Sequence, residues 1–562
     1  MRRRTRGAAV IALAVLTTAA PAYADPLDPY TGQAVTWGAC PFTPAGGAPA
    51  VECALITVPR DWADPAAGVD LRVSLSRSRA TGERKGVLLL NPGGPGGQGA
   101  AFANSVAGLQ PAVNAEYDFI GMDPRGTGTS PQDRGFQCHV PTGRLPQGLL
   151  DARDRSAQSV AEHQRLPRAI AEACQSDAVA PYVTTWQTAH DMDLVRRLLG
   201  ERQLNYLGYS YGTWLGAKYA SLFPANTGKV VLDSSVNWQG RLQAAFEAFP
   251  EIDQRQFDVQ YLPWMTRHYP EVVGTTPAEA KATWERARGY FAAHQLPPDN
   301  YDRAFVGMGS EFGWLLATLV FVVSANSADG GPAALTGVGP DLLERLDAVS
   351  RAEFGVPAAD LTPVRISAAG PDYTDVPGTR FAVACGDQLT RSAAWYRALS
   401  DRQGPLNPLY GWAYGLSEPC GYWSDAPRQQ LPTLPAQVAA NVLVVQGEMD
   451  PQTGYEQARA AVRAAPGVGF VSVDDAPYHG QYATSGNPCV DGMVNVFLLH
   501  NSRPGTVVCP GVPLIDEDSV FPVSGPVRAP AVVQAAQVPI PSTPLRDQVQ
   551  RYLGEVNSHG PR

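Results

Sequence analysis

The sequence predicts an α/β fold in which a mostly parallel central sheet carries helices on both faces. Two observations lead to this prediction. Short apolar runs such as residues 86–91 and 117–123 end in turns rich in glycine or proline, and helix-like segments alternate with them. Apolar runs without polar alternation are typical of parallel strands buried on both faces. The alternation of strand, loop and helix favours the same arrangement.

The predicted strands are spread unevenly along the chain. They cover residues 51–58, 71–75, 86–91, 117–123, 204–208, 230–233, 441–446 and 470–473. The first two are expected to form a hairpin. Residues 238–377 are rich in aromatic side chains and lack the strand–turn signature, so we expect a mainly helical cap inserted between two sheet strands. The apolar run at 312–325 is short for a membrane span of about 20 residues and predicts a buried cap helix.

The charge balance excludes several function classes. The 562 residues carry a net charge of −9, which does not provide the basic surface needed to bind nucleic acid or anionic lipid. The first 24 residues combine arginines, an apolar stretch and the small-x-small site Ala22-Tyr23-Ala24. This is the pattern of a secretory signal peptide cleaved after Ala24. We therefore expect an exported, extracellular protein with no membrane attachment after cleavage.

An even number of cysteines in an exported chain indicates disulfide bonds. We expect four sequential pairs because each would close a short local loop. Neither C-x-x-C nor H-E-x-x-H occurs, so we predict no metal site and no cofactor. The expected pairs are Cys40–Cys53, Cys138–Cys174, Cys385–Cys420 and Cys489–Cys509.

Ser210 is the predicted nucleophile. It lies in Gly-Tyr-Ser-Tyr-Gly at 208–212, after a predicted strand and before a helix-like segment at 213–223. A serine on such a sharp turn projects its hydroxyl above the sheet, and the flanking glycines leave room for it. A tight turn whose serine only caps the helix is the alternative.

A base and an acid are predicted on two later loops. His479 follows the last predicted strand, and Asp450 follows the strand before it, so both side chains should reach the edge where Ser210 lies. The base takes the serine proton and the acid orients the base. Glu448 and Asp474 are alternative acids. The chain order of serine, acid and histidine is that of α/β-hydrolases.

Two backbone N–H groups are predicted to stabilise the oxyanion. One is that of Tyr211, directly after the nucleophile. The other lies in the glycine-rich stretch 91–97, where we favour Gly94 over Gly93; a phosphate-binding loop would need a lysine that this stretch lacks. The turn at 123–130, after another strand, is expected to brace this loop structurally.

These motifs together resemble a known family. Pro-Gly-Gly-Pro-Gly at 92–96, Asp-Pro-Arg-Gly-Thr-Gly at 123–128, the serine motif, Gly-Glu-Met-Asp-Pro at 447–451 and Ala-Val-Ala-Cys-Gly-Asp at 382–387 are similar to segments of α/β-hydrolase serine peptidases. More narrowly, the chain resembles the secreted tripeptidyl aminopeptidases of actinobacteria and the related prolyl aminopeptidases. Pro92 stands where prolyl aminopeptidases usually carry a histidine.

The resemblance implies an exopeptidase that acts on short peptides with a free amino terminus. A carboxylate should then receive the ammonium group in a confined cleft, because a buried charge must be paired. Glu247, Glu251, Glu311 and Asp387 are the candidates. A secreted carboxylesterase with the same triad is the main alternative, and a binding protein without catalytic activity is a third hypothesis.

The predicted organisation has five parts. These are a signal peptide at 1–24, the first part of the hydrolase core at 25–237, the helical cap at 238–377, the second part of the core with the acid and the base at 378–510, and a C-terminal tail at 511–562 that packs on the core.

Overall fold

The computed structural model describes residues 27–128, 135–330, 335–368, 373–527 and 543–559. The predicted signal peptide and the last two residues of the 123–130 turn lie outside these ranges. Among the described residues, the strands of the main sheet and of a small second sheet are β1 (Glu52–Val58), β2 (Leu71–Ser78), β3 (Gly86–Asn91), β4 (Tyr117–Met122), β5 (Gln137–His139), β6 (Leu204–Tyr209), β7 (Thr227–Asp233), β8 (Asp375–Pro377), β9 (Val442–Gly447), β10 (Gly469–Val473) and β11 (Thr506–Cys509).

The main sheet has nine described strands in the order β1-β2-β4-β3-β6-β7-β9-β10-β11. β1 pairs antiparallel with β2, and β2 pairs antiparallel with β4, whereas every later neighbour is parallel. All residues of β3, β4, β9 and β10 are buried, which agrees with their continuous apolar character. The carboxyl ends of β3, β6, β7, β9 and β10 therefore meet at one edge of the sheet.

The helices before and after the large insertion cover the two faces of the sheet. Those of the first part are α1 (Asp28–Thr31), α2 (Gly99–Leu109), α3 (Pro111–Asn114), α4 (Ala157–His163), α5 (Arg165–Gln175), α6 (Thr185–Leu198) and α7 (Tyr211–Leu222).

The segment between β7 and β9 is mainly helical and also contains the short strand β8. Its helices are α8 (Leu242–Glu247), α9 (Phe249–Gln256), α10 (Leu262–His268), α11 (Pro270–Val273), α12 (Pro277–Ala293), α13 (Pro298–Arg303), α14 (Glu311–Ala328), α15 (Pro340–Phe354), α16 (Pro363–Ala368), α17 (Thr379–Gly386), α18 (Ala393–Gln403), α19 (Gly411–Tyr414) and α20 (Ala436–Ala439). A π-helical turn, Phe257–Tyr261, joins α9 to α10. The helices after the insertion are α21 (Tyr455–Ala464), α22 (Pro488–His500) and α23 (Pro544–Val556).

Packing divides this insertion into two parts. Side chains from Phe257 to Ile366, among them Trp314 and Phe321, form most of a second hydrophobic cluster, which Tyr478 and a few other later residues join. Phe381 of α17, in contrast, belongs to the cluster that includes one face of the sheet. The sheet itself resumes only at β9, so the segment 378–441 adds core-packed helices but no strand to the main sheet.

Helix α14 contains the apolar run predicted to be a buried cap helix. Its length and composition would suit a membrane span, and 61% of the apolar window is buried inside the protein. Trp314, Leu319 and Phe321 pack in the cap cluster. The apolar surface of α14 is therefore largely used in packing the cap.

The eight cysteines form the four sequential pairs that the loop lengths favoured: Cys40–Cys53, Cys138–Cys174, Cys385–Cys420 and Cys489–Cys509. The separations of 13 to 36 residues each correspond to about 3–4 kcal/mol of stabilisation in the chain-entropy model.

Candidate active site

The turn between β6 and α7 holds Ser210 in an unusual backbone conformation. Its φ of 57° and ψ of −126° fall in a region that L-residues rarely adopt. The Ser210 N–H donates to the Asp233 carbonyl over 3.0 Å, which ties the turn to β7. A Cβ on Gly208 would lie 2.5 Å from the Gly212 carbonyl oxygen, so the turn closes only with glycine at 208. This is the geometry expected of a nucleophile elbow.

His479 and Asp450 form a buried pair beside this turn. His479 Nδ1 lies 2.9 Å from both carboxylate oxygens of Asp450, and both side chains are fully buried. The acid and the base predicted from the sequence thus lie in direct contact. With Nδ1 bonded to the carboxylate, the imidazole presents Nε2 to the remaining space.

Asp450 is held in its charged form despite its burial. Burial alone would raise the pKa of this carboxyl, but the neighbouring His479 and several hydrogen bonds lower it below its usual value. The N–H groups of Gln452 and Thr453 donate to Oδ1 over 2.8 and 3.0 Å, and the Thr453 hydroxyl donates to Oδ2 over 3.0 Å. Sequence reasoning missed this support, although Gln452 and Thr453 directly follow the Asp-Pro turn.

The end of β7 positions the loop that carries the histidine. The Gly480 N–H donates to the Ser234 hydroxyl over 2.7 Å, and the N–H groups of Gln481 and Tyr482 donate to the Asp233 carboxylate. Burial raises the pKa of Asp233 to about 7, although these N–H groups oppose the shift. Because the Asp233 carbonyl also accepts the Ser210 N–H, the end of β7 fixes the positions of both the serine turn and the loop that carries His479.

His479 Nε2 is buried and has no hydrogen-bond partner in the described part of the chain. The Ser210 hydroxyl therefore does not hydrogen-bond to it in this state. The two loops are nevertheless adjacent, since a Cβ on Gly480 would lie 3.5 Å from the Tyr209 ring. Hydrogen bonds between nucleophile and base are often long without substrate and tighten when it binds.

The two alternative acids are occupied elsewhere. Glu448 accepts hydrogen bonds from the N–H groups of Asp475 and Val527. Burial, with the charges of Asp474 and Asp475, raises the pKa of Glu448 to about 7. Asp474 directly follows β10, and its carboxylate lies close to those of Glu448 and Asp475. Of the three acids considered, Asp450 is the one that contacts the imidazole.

The glycine-rich loop after β3 presents one N–H group to the site. Gly93, whose φ is +102°, uses its own N–H for a 2.9 Å bond to the Asn91 side chain. The Gly94 N–H instead donates to the side-chain oxygen of Asn557 over 2.5 Å. Between the two glycines considered, Gly94 is the one whose N–H is directed out of the loop. The Tyr211 N–H opens α7, where a helix leaves its first N–H groups without intrahelical partners.

The turn after β4 holds together neighbouring segments at the edge of the sheet where its parallel strands end. Arg125 is buried, and its guanidinium pairs with both carboxylate oxygens of Asp191 over 2.6 and 2.7 Å. It also donates to the carbonyls of Arg60 and Pro59. The Asp123 carboxylate accepts the Ala100 N–H in the first turn of α2, directly after the glycine-rich loop. These contacts agree with the bracing role expected for this turn.

The four carboxylates considered for ammonium binding lie in different surroundings. Glu251 is exposed on α9. Glu311 forms an ion pair with Arg345. Asp387 accepts hydrogen bonds from the Thr185 N–H and the Trp214 indole, which makes it part of the packing between helices. Glu247 alone has a buried oxygen, Oε1, without a hydrogen-bond partner in the described chain.

A cavity near the C-terminal segment is lined by a further carboxylate, Glu418, which the sequence did not single out. Its lining includes Phe249, Arg380, Tyr410, Tyr414, Glu418 and His559. Burial, and to a smaller extent the charge of Glu247, raise the pKa of Glu418, while Arg380 and the Cys420 N–H oppose the shift. No local motif marks Glu418; only the Cys385–Cys420 bond two residues away hinted that this segment is held near the core.

The sequence is similar to two family models and to several characterised proteins. Residues 86–307 match the model described as alpha/beta hydrolase fold, and residues 408–509 match the one described as TAP-like protein. The chain is 31% identical to the tripeptidyl aminopeptidase of Streptomyces coelicolor over 80% of this chain and 81% of that one.

Two further relatives come from Mycobacterium tuberculosis. Serine protease Hip1 is 33% identical over 37% of this chain and 41% of its own. Carboxylesterase B is 26% identical over 90% of this chain and 98% of its own. Because its similarity to tripeptidyl aminopeptidase extends over four fifths of both sequences, this protein is an enzyme of the α/β-hydrolase fold and belongs to the serine peptidase family that includes the tripeptidyl aminopeptidases of Streptomyces.

Proposed function

We propose that this enzyme is a secreted exopeptidase that releases short peptides from the amino terminus of its substrates through an acyl-enzyme on Ser210. The observation that carries the proposal is the buried His479–Asp450 pair beside the strained Ser210 turn. A family resemblance alone would not place these three groups at one edge. A contacting acid and base beside a strained serine turn supports acyl transfer, in which a histidine activates a serine hydroxyl.

In the proposed reaction, His479 Nε2 accepts the Ser210 proton as the hydroxyl oxygen attacks the scissile carbonyl. The charge that develops on the carbonyl oxygen is stabilised by the N–H groups of Gly94 and Tyr211. The imidazolium, stabilised by Asp450, then gives its proton to the leaving amine. Water repeats the sequence on the ester, so that the acid is released and Ser210 regains its proton.

We assign recognition of the substrate ammonium group to Glu418, with Glu247 beside it. Both carboxylates are largely withdrawn from water, and burial raises the pKa of each. A bound ammonium group could donate a hydrogen bond to Glu247 Oε1, which has no partner in the described chain. Its positive charge would also offset part of the free-energy cost of burying the two carboxylates. The cavity that Glu418 lines starts next to the oxyanion loop, since Arg380 also lies against Gly96.

The comparison of a tripeptide anilide that has a free amino terminus with its acetylated form tests this proposal. We expect the free form to be cleaved and the acetylated form to lose about tenfold or more in kcat/KM, because a hydrogen bond to a charged group is worth ~1.5–3 kcal/mol. Ser210→Ala should abolish both reactions. Equal turnover of the two anilides would contradict exopeptidase specificity.

Glu418→Gln tests the assignment of the ammonium site. We expect KM for the free anilide to rise about tenfold while kcat changes less, because the carboxylate acts in binding. Glu251→Gln is the matched control. Glu251 lies on α9, whose Phe249 lines the cavity, but its own side chain is exposed. A Glu418→Gln variant that keeps its preference for the free amine would redirect the assignment to Glu247.

An esterase is the second candidate, favoured by the similarity to carboxylesterase B over nearly the full length of both chains. It would use the same triad but would have no need of a buried carboxylate near the acyl site. Turnover of a short acyl ester without turnover of either anilide would select it.

Export is part of the proposal. Four disulfide bonds suit an oxidising compartment. The arginine-rich start and the Ala22-Tyr23-Ala24 site agree with this destination.

A further inference from the structure

The side chain of Asn557, just beyond the end of α23, occupies the oxyanion loop. Its Oδ1 accepts the Gly94 N–H over 2.5 Å, and its Nδ2 donates to the Pro92 carbonyl over 2.9 Å. A carboxamide has the same donor and acceptor as a peptide bond, so Asn557 meets this loop as a substrate amide would. A Cβ on Gly93 would lie 2.5 Å from Asn557 Oδ1 and 2.9 Å from Ser210 Cβ, which places the carboxamide next to the predicted nucleophile.

The two following residues lead from the oxyanion loop into the cavity. The Ser558 carbonyl accepts a hydrogen bond from the Arg380 guanidinium. The His559 ring stacks on Phe249 with centroids 3.5 Å apart, and Tyr410 lies nearly parallel at 6.1 Å. The segment therefore turns from the glycine-rich loop into the cavity, where a short bound peptide would also lie.

His559 is enclosed together with an acidic partner. Its Nδ1 lies 3.0 Å from Asp253 Oδ2, and both side chains are almost fully buried. Burial raises the pKa of Asp253, and the histidine opposes this shift. The slot between Phe249 and Tyr410 thus combines two aromatic faces with a carboxylate, which suits a planar cationic side chain.

Helix α23 also helps to bury the loop that carries His479. It packs between α2 and α14 and buries Leu553. The Gly554 carbonyl accepts the Gln452 side-chain N–H over 2.9 Å. Gly309, whose Cβ would lie 2.8 Å from His479 Cβ, stands next to Ser310, which Gly554 contacts. Ser210 is 5% exposed and His479 is fully buried.

We propose that residues 543–559 act as an intramolecular inhibitor that occupies the substrate cleft until the segment is displaced. This inference rests on the proposed function in that the cleft is taken to be the one that binds peptides. A tethered segment has an effective concentration near the millimolar range, so modest contacts suffice to keep the cleft occupied. While the Gly94 N–H donates to Asn557, it cannot donate to the carbonyl oxygen of a substrate, and the enzyme is therefore inhibited.

The rate at which a small organophosphonate probe labels the serine tests this inference without depending on peptide specificity. We expect Asn557→Ala to be labelled about two- to tenfold faster than the wild-type chain, which corresponds to the loss of one or two hydrogen bonds. His559→Ala should change the rate in the same direction. Gln548→Ala, on the exposed side of α23, is the control and should be labelled at the wild-type rate.

A chain that ends at residue 542 provides the stronger form of the test. It should be labelled faster than either point variant, and a synthetic peptide of residues 543–562 should slow this labelling in a saturable manner. The same peptide should bind to the truncated chain carrying Ser210→Ala, as measured by calorimetry. If the truncated chain does not fold, the labelling rates of Asn557→Ala and His559→Ala decide the question.

Equal labelling of the wild-type chain and the folded variants would overturn the inference. Slower labelling of Asn557→Ala with an unchanged melting temperature would also overturn it, because the segment would then complete the site rather than block it. Labelling that persists in Ser210→Ala, or fails in every folded variant, would instead refute the proposed nucleophile and the inhibition with it. The three results are distinguishable in one series of proteins.

Discussion

Asp450 illustrates how a buried charge is retained at a single residue. The carboxylate has no access to water, yet two N–H groups, one hydroxyl and the imidazole of His479 surround it. These partners favour its charged form more than burial disfavours it. A charged group at this position can stabilise the imidazolium that forms when Ser210 loses its proton.

The first prediction concerns this charge. Asp450→Asn should lower kcat for the free tripeptide anilide by about 10³–10⁴-fold, because the amide neither stabilises the imidazolium nor fixes the productive tautomer. Steady-state kinetics at pH 8 measure the effect. Glu448→Gln is the matched comparison, since Glu448 is as buried but bonds to Asp475 and Val527 instead. A larger loss in Glu448→Gln than in Asp450→Asn would contradict the assignment.

The second prediction concerns the space at the oxyanion loop. Gly93→Ala should reduce kcat/KM by about 100-fold or more. The new Cβ would lie under 3 Å from the Tyr209 carbonyl and from Ser210 Cβ, and the φ of +102° disfavours any side chain. Gly289→Ala serves as the control because it lies in α12 with nothing within 4 Å of the added Cβ. Wild-type activity in Gly93→Ala would show that this close approach is not part of the site.

Residue chemistry explains which site residues the sequence could reveal. Ser210, Asp450 and His479 each stand at the end of a predicted strand, and triad chemistry demands their side-chain types. Glu418 and Asn557 stand at no such position, and only three-dimensional packing brings Glu418 to the cavity wall and Asn557 to Gly94. A carboxylate or amide in an irregular segment carries no local signal of its neighbours.

At the level of elements, Asp387 joins three helices. It follows the end of α17 and accepts hydrogen bonds from the Thr185 N–H, which starts α6, and from the Trp214 indole in α7. Burial raises its pKa to about 6, although these hydrogen bonds oppose the shift.

The third prediction follows from the sign of this shift. Between about pH 4 and pH 6 the folded protein holds a proton on Asp387 that the unfolded chain has lost, so this group makes the protein less stable as the pH rises. Asp387→Asn should therefore gain ~2 kcal/mol relative to the wild-type chain between pH 4.5 and pH 7.5. The midpoints of urea unfolding at the two pH values measure this gain.

A surface carboxylate provides the comparison for this experiment. Asp360→Asn removes an exposed charge from the cap and should follow the wild-type midpoints at both pH values. If the midpoints of Asp387→Asn also run parallel to those of the wild-type chain, Asp387 does not hold a proton between pH 4 and pH 6.

The elements differ in how well the sequence predicts them. β3 and β10 are buried on both faces, so hydrophobicity alone marks them to within a residue or two. β11 was missed, because it is only four residues long and mostly not buried. The sequence predicts only that the tail at 511–562 packs on the core, and it does not predict helix α23 within that tail. Its contact with the oxyanion loop depends on packing between elements more than 450 residues apart, which no local pattern encodes.

On the scale of the whole molecule, the candidate active site lies among three parts of the fold that are distant in sequence. The sheet edge supplies Ser210 and His479, the cap and α17 supply the cavity, and α23 covers the junction. Even with α23 displaced, the cap would restrict the site to small substrates, because a long folded chain could not enter without moving the cap as well. This geometry is consistent with an exopeptidase rather than a general endopeptidase.

The last prediction concerns the exported enzyme, its four disulfide bonds and its amino terminus. The enzyme collected from the medium should show no free thiols when it is denatured without reductant and eight when it is denatured with reductant, because the described cysteines are all paired. Its amino terminus should be Asp25. Ala24→Phe should block cleavage, since the last position before the cut requires a small side chain, whereas Tyr23→Phe should be processed normally. An amino terminus at Met1 in the exported protein would contradict the signal peptide, and free thiols would contradict the pairing.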